Sequence, residues 1–240
     1  MALSRTSTPV CHMGDTGEGA NGHRSIRYPR PRRRGKGVMS QHWNDVYETK
    51  AADQLSWTED SPATSLELLD LLGVTPSASL IDVGAGTSHL VDALSARGFR
   101  DLSILDVSAA ALAATLARPG LSAAAAIEAD VTTWQPTRRY DVWHDRAVLH
   151  FVDPTRAELY AAALRAALAA DAKVVIGVFA PDGPDSCSGL AVTRYDAADL
   201  ARLLGEEFVV VQERRTHHLT PWGTDQSFQW IAARRVGRAS

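Results

Sequence analysis

From Ser79 onward the apolar positions fall into short continuous runs separated by longer stretches of helical period. Leu80-Ile81-Asp82-Val83 reads as a buried strand ending in glycines, and residues 88–97 as a helix stopped by Gly98. Leu102-Ser103-Ile104-Leu105-Asp106 is a second strand, after which Ser108 caps an alanine-rich helix to about Leu116. Residues 123–128 form a weaker third strand, placed mainly by its position before Asp130, and residues 140–145 a fourth. A strongly helical run over 155–169 leads to a fifth strand at 173–179, a helix at 197–204 and a sixth strand at 208–213. After a loop at 217–225, residues 226–233 make the last strand. Such alternation predicts an open α/β sheet with ligands beyond the carboxyl ends of its strands.

Upstream, Trp43, Val46, Tyr47 and Lys50 share one face of a helix beginning near Ser40. Ser61 and Pro62 open a second helix, as cap and first-turn proline, and Gly73 closes it. Its stripe is Leu66, Leu69 and Leu72, widened by Leu68 and Leu71. Residues 1–38 show no apolar period. They hold six glycines, three prolines and the run Pro29-Arg30-Pro31-Arg32-Arg33-Arg34-Gly35-Lys36, a composition that predicts disorder. The organisation expected is a basic tail over 1–38, not necessarily part of the native start since Met39 begins the patterned chain. A domain over 39–240 follows, with a helical lid at 40–73.

Composition changes this picture in two places. The 240 residues carry a formal net charge of −3, but the tail alone is +6 and the remainder −9. An acidic body argues against a broad nucleic-acid footprint, so a nucleic-acid-binding or nucleic-acid-modifying protein using the arginine tail is the alternative, not the main expectation. Cys11 and Cys187 are too few and too far apart for a disulfide scaffold or a cysteine-rich zinc module, which suits a reducing, cytoplasmic compartment. No apolar run approaches the roughly 18 residues of a membrane span.

The chemistry centres on Asp82-Val83-Gly84-Ala85-Gly86-Thr87-Ser88. Two glycines let a backbone approach a ligand closely where a strand turns into a helix. His89 stands where a dinucleotide site wants its third glycine, and the Gly-Lys-Ser/Thr end of a phosphate loop is absent, so a pyrophosphate is not the expected ligand. Asp106, Asp130 and Asp145 then close successive strands. Asp106 lies 24 residues after Asp82, the place of a carboxylate that accepts ribose hydroxyls. Asp130, in Ala129-Asp130-Val131-Thr132, would face an adenine amino group, and Asp145, in His144-Asp145-Arg146-Ala147, the ligand's other end. Four strand-end acids with two glycines suit an adenosine bearing a cationic tail.

On these residues, together with Tyr140-Asp141-Val142-Trp143-His144-Asp145-Arg146 as the fourth strand, the chain resembles the class I S-adenosylmethionine-dependent methyltransferases over about residues 40–235. The resemblance implies a Rossmann-like, seven-stranded, mostly parallel sheet with an antiparallel last strand and helices on both faces. It implies S-adenosyl-L-methionine as cofactor, held by Asp82, Gly84, Ala85, Gly86, Thr87, Ser88, Asp106, Val107, Ser108, Asp130, Val131, Asp145, Arg146 and Trp43. The third glycine frequent in that family is replaced here at Thr87 or Ser88. The implied activity is methyl transfer to a small molecule or protein side chain. A non-catalytic cofactor-binding relative is a further alternative.

A base is needed only for an acceptor that arrives protonated. His150 is the candidate, just past the fourth strand, with His144, Tyr195, His217 and His218 behind it. His144 alternates with Asp145 and is expected to face a neighbouring helix. No metal is expected, because adjacent histidines rarely share one ion. Trp43, Tyr47 and Trp57 are expected to cover cofactor and substrate, or only to anchor a helix to the sheet. No residue pattern names the acceptor.

Overall fold

A computed structural model describes residues 36–51, 54–59 and 61–237. The predicted basic tail therefore lies outside the described residues except for its last three. Those three are helical: α1 spans Lys36–Thr49 and starts about a turn earlier than its apolar period predicts.

Seven strands form one sheet: β1 (Leu80–Val83), β2 (Leu102–Asp106), β3 (Ala125–Glu128), β4 (Tyr140–Arg146), β5 (Leu168–Phe179), β8 (Phe208–Leu219) and β9 (Asp225–Arg235). Between β5 and β8 lie a two-residue hairpin, β6 (Ser186–Cys187) and β7 (Leu190–Ala191), and α6 (Ala197–Leu204). The spatial order is β3-β2-β1-β4-β5-β9-β8. The first five strands in chain order run parallel, and β9 lies antiparallel between β5 and β8. The order reverses between β1 and β4, where an open α/β sheet parts its loops and leaves a crevice.

Helices cover both faces. α5 (Ala157–Ala167) and α6 pack Tyr160, Leu164, Leu200 and Leu204 against Ile81, Trp143 and Ile176. On the other face α2 (Ala63–Leu71), α3 (Leu90–Ala96) and α4 (Ala109–Leu116) bury Leu66, Leu69, Leu90, Leu94 and Leu112 against Leu80, Ile104 and Val175. β1 is buried at all four positions, which is why it reads as an unbroken apolar run. Among the described residues, no helix is long and apolar enough to cross a membrane.

Several element ends differ from the sequence pattern. Pro62, not Ser61, is the residue before α2, and no side chain caps that helix. Leu71 faces outward, 44% exposed, rather than widening the buried stripe. α5 stops at Ala167 and β5 begins at the next residue, where the pattern predicts helix to 169 and strand from 173. Leu168 instead pairs with Tyr140 of β4, and the Arg139 and Arg235 guanidinium groups donate to its carbonyl, at 2.6 and 2.9 Å. β8 runs on to Leu219, so His217 and His218 lie on a strand and the loop contracts to a turn at 220–224. Its polar second half is stabilised by pairing with β9, which tolerates arginine, threonine and histidine on a half-exposed edge strand.

Candidate functional site

The glycine turn leaves β1 directly. Gly84 and Gly86 take φ of +64° and +51°, left-handed values that favour glycine. A Cβ on Gly84 would collide with the Val148 side chain, whereas one on Gly86 would meet the Tyr47 hydroxyl, the far end of a side chain that can give way, so space adds to conformation chiefly at Gly84. The Gly86 N–H donates to Asp106 Oδ2 and the Ser108 N–H to Oδ1, each at 2.8 Å. The acid at the end of β2 thus ties the glycine turn to the start of α4. Burial pushes the Asp106 carboxyl up to about 6, against the pull of those two N–H groups and with the charge of Asp82 adding to the rise. Ser108 caps α4 as predicted, its hydroxyl accepting from the Ala111 N–H at 3.1 Å.

The rest of the turn is held from behind. Thr115 donates to the Gly86 carbonyl at 2.8 Å, and Arg118 to the carbonyls of Thr87 and Ser88. Ala85 is buried among the residues packed by α2 and α3. Asp82 places one carboxylate oxygen 2.7 Å from His144 Nδ1, and His144 Nε2 lies 2.8 Å from the Ser65 hydroxyl on α2. The other oxygen, Oδ2, is buried with no hydrogen-bond partner. A buried carboxylate oxygen left open beside a glycine cradle fits the ammonium of an amino-acid tail.

Asp130 is half-buried beyond β3. Burial acts to raise its pKa, yet bonds from Thr132 and the Arg156 guanidinium hold it below the ordinary carboxylate value. The side chain of Val131 is packed into the core under α5.

Asp145 departs from its expected role. The pleat of β4 turns it to the α5 face, fully buried, where its carboxylate accepts from the N–H groups of Val148 and Leu149 and from the Tyr160 hydroxyl at 2.7 Å. Tyr160 in turn accepts from Trp143 Nε1. These bonds hold the turn after β4, so Asp145 supports the crevice rather than lining it. Its neighbours His144 and Arg146 point the other way. The Arg146 guanidinium donates to the Trp57 carbonyl, pairs with Glu59 at 2.8 Å and lies 5.3 Å from the centre of the Phe228 ring.

His150 does not suit a general base. Its Nδ1 accepts from the Phe179 N–H at 3.2 Å, so the proton of the neutral ring sits on Nε2. Burial and then the charge of Arg146 drive its pKa down to about 3, which keeps the ring neutral. Tyr195 is buried in the α5-side core, its pKa pushed up to about 12 by burial and then by Asp199 and Asp145. His217 pairs with Asp225, whereas His218 Nε2 donates to the Ser56 carbonyl at 2.7 Å. Among the described residues, no three His, Cys, Asp or Glu side chains cluster as metal ligands.

α1 roofs the glycine turn. Ser40 donates to the Val107 carbonyl at 2.8 Å, and Asn44 Oδ1 accepts from the Ser108 hydroxyl at 2.7 Å. Trp43 is the hub of an aromatic cluster with Tyr47, Trp57 and Phe151. Tyr47, rather than Trp43, reaches Gly86; burial and the nearby Asp106 charge raise its pKa far above the ordinary phenol value. The sequence signals Tyr47 only as one of three aromatic residues flanking the crevice.

No protein-family model matches the chain, and no curated protein matches its sequence. Solved structures do. The 1,6-didemethyltoxoflavin-N1-methyltransferase of Burkholderia thailandensis, with 1,6-didemethyltoxoflavin and S-adenosylhomocysteine bound, superposes at a TM-score of 0.63. It is 22% identical over 84% of this chain and 87% of its own. A SAM-dependent methyltransferase from Anabaena variabilis gives 0.66 at 16% identity, over 85% of this chain and 96% of its own. The chain has the class I methyltransferase fold. The magnesium protoporphyrin IX methyltransferase of Synechocystis, with S-adenosylhomocysteine bound, agrees at 0.60 and 14% identity, over 83% and 99% of the two chains. Within this methyltransferase fold, the seven-stranded, mostly parallel sheet, the antiparallel last strand and the glycine turn after the first strand all stand where the sequence resemblance implies.

Proposed function

We propose that the protein is an S-adenosylmethionine-dependent methyltransferase acting on a small molecule or a protein side chain. The observation that carries this reading is the joint formed at the end of β1 and β2: a left-handed Gly84-Ala85-Gly86 turn bonded to the buried Asp106 carboxylate. Asp106 would hold the ribose hydroxyls, Asp82 Oδ2 the ammonium of the methionine moiety, and Asp130 the adenine amino group. The cofactor, when bound, supplies a methyl group already activated on a sulfonium sulfur.

The chain's own contribution is to orient the partners and exclude water. Trp43, Tyr47, Trp57 and Phe151 cover the turn as an apolar lid, and the Tyr47 hydroxyl stands over Gly86, so the Tyr47 side chain must turn aside, or α1 shift, to admit a ligand there. His150 presents a neutral Nε2–H donor beyond β4. The structural neighbours crystallised with S-adenosylhomocysteine support the cofactor assignment. We place the protein in the cytoplasm on its two-cysteine composition. Calorimetric titration with S-adenosylmethionine tests the reading: saturable binding is expected, and no heat at millimolar cofactor would defeat it.

A further inference from the structure

Resting on that reading, we infer that Arg146 and His150 receive the methyl acceptor as an anion, the conjugate base of an oxygen acid carried on a planar aromatic or conjugated ring, and that Glu59 neutralises Arg146 until this anion takes its place. The starting point is a buried cation. The Arg146 side chain is 11% exposed at the end of β4, a position arginine rarely takes unless paired. Of its nitrogens only Nη1 makes a directed hydrogen bond, to the Trp57 carbonyl; Nε and Nη2 make none, although Nη2 lies 2.8 Å from Glu59. Glu59 sits in the irregular connection between α1 and α2, a place from which a counter-ion can leave without breaking an element.

The second observation is independent. His150 Nε2 is buried and has no partner, whereas the opposite ring nitrogen is fixed by Phe179. A buried donor stranded in this way is destabilising unless a ligand completes it. Both groups border one ring, Phe228, whose centre is 6.5 Å from that of His150 and 5.3 Å from the Arg146 guanidinium carbon. Phe151 and Phe179 stack or abut His150 at 4.5 and 4.3 Å, so the surroundings are flat and apolar. The other charged or titratable groups near Arg146 are Asp82 from β1 and His218 from β8, the latter 3.8 Å from Glu59. One partnerless donor and a full cation held by a displaceable carboxylate, among aromatic walls, select a planar anion. They repel an ammonium and lower the pKa of a bound hydroxyl, leaving its proton in solvent. A neutral His150 suits this role, because nothing is asked of it but a hydrogen bond.

The test uses 4-nitrophenol, whose phenolate is read by its absorbance, and 4-nitroaniline, a neutral compound of the same shape. Each is titrated into the full chain with and without S-adenosylhomocysteine. The phenolate is expected to bind at least about tenfold more tightly than the aniline, and its band to appear below the pH at which it ionises in free solution. Arg146→Met should weaken phenolate binding by roughly 10–100-fold. Glu59→Gln, at a part-exposed position that should fold normally, should strengthen it several-fold by removing the competing carboxylate. Equal binding of the two probes, or a Glu59→Gln protein that binds phenolate no better than the parent, overturns the inference and leaves cofactor binding intact. Phenolate selectivity without S-adenosylhomocysteine binding sustains the anion site and removes the methyltransferase reading instead.

Discussion

The carboxyl ends of β2 and β4 offer the same residue in the same kind of place, and the fold uses them oppositely. Asp106 and Asp145 each sit at the end of a parallel strand, each is buried, and burial pushes each carboxyl up to about 6. Asp106 bonds across loops, to the backbone of Gly86 and Ser108, and lies near Tyr47 of α1. Asp145 bonds its own turn and the Tyr160 hydroxyl on α5. On the proposed reading, a strand-end acid marks a ligand site only when the pleat turns it toward the crevice. When the pleat turns it toward a helix, the same acid is a buried tie between strand and cover.

Removing the tie should give the largest effect. Asp145→Ala leaves the Tyr160 hydroxyl and two N–H groups without an acceptor in the core, and should cost about 3 kcal/mol or more in chemical denaturation. Cofactor affinity per folded molecule should change little. A large loss of affinity at unchanged stability would move Asp145 back among the ligand contacts. Asp106→Asn should behave the other way, weakening S-adenosylmethionine by roughly 10–100-fold, about 1.5–3 kcal/mol, as a charged acceptor becomes a neutral one. If both variants lose stability and affinity alike, the contrast between the two ends is wrong.

How far this contrast can be read in the chain depends on the residue. β1, β2 and β4 are legible because strands buried on both faces write continuous apolar runs, and the glycines follow at once. Ser108 and Gly98 announce helix ends by local chemistry that the structure preserves. The end of α5 is not legible, because Leu168 pairs with Tyr140 and its carbonyl is held by Arg139 and Arg235, all far off in sequence. The second half of β8 is hidden for a similar reason: its pairing partner, not its composition, makes it a strand. At the site, alternation along β4 shows that His144 and Asp145 face apart, and His144 does face α2. Which face bounds the crevice is set by the neighbouring strands, so the role of Asp145 is invisible to spacing. The tautomer of His150 depends on the Phe179 N–H, 29 residues away, and the sequence holds no sign of it.

A smaller effect sharpens the β2 side. Gly86→Ala adds a methyl at φ +51°, where an L-residue is disfavoured by about 1–2 kcal/mol, and directs it at the Tyr47 hydroxyl. Because that hydroxyl ends a side chain on the lid, the clash should be relieved by moving α1, so the expected signature is a modest fall in melting temperature with weaker cofactor binding. Combining it with Tyr47→Phe should recover part of the stability. No recovery would mean that the strain lies in the backbone alone.

The smallest effect is the one that separates the two acids by pH. An acid whose folded pKa is raised from 3.8 to about 6 stays protonated in the folded protein where the unfolded chain has already ionised. Between these values the unfolded state binds fewer protons, so stability falls as pH rises from about 4 to about 6 and levels off above. Asp106 and Asp145 both contribute with this sign, and stability alone cannot tell them apart. Cofactor affinity can. In the proposed site the ionised form of Asp106 would accept from two ribose hydroxyls at once, and protonation would remove acceptor capacity. Affinity should therefore fall as pH drops through 6, by about threefold between pH 6.5 and 5.5 for a single group of that pKa. Titrations in that window should show the slope in the parent and in Asp145→Asn, and lose it in Asp106→Asn. A slope that survives in Asp106→Asn and vanishes in Asp145→Asn would exchange the roles of the two strand ends.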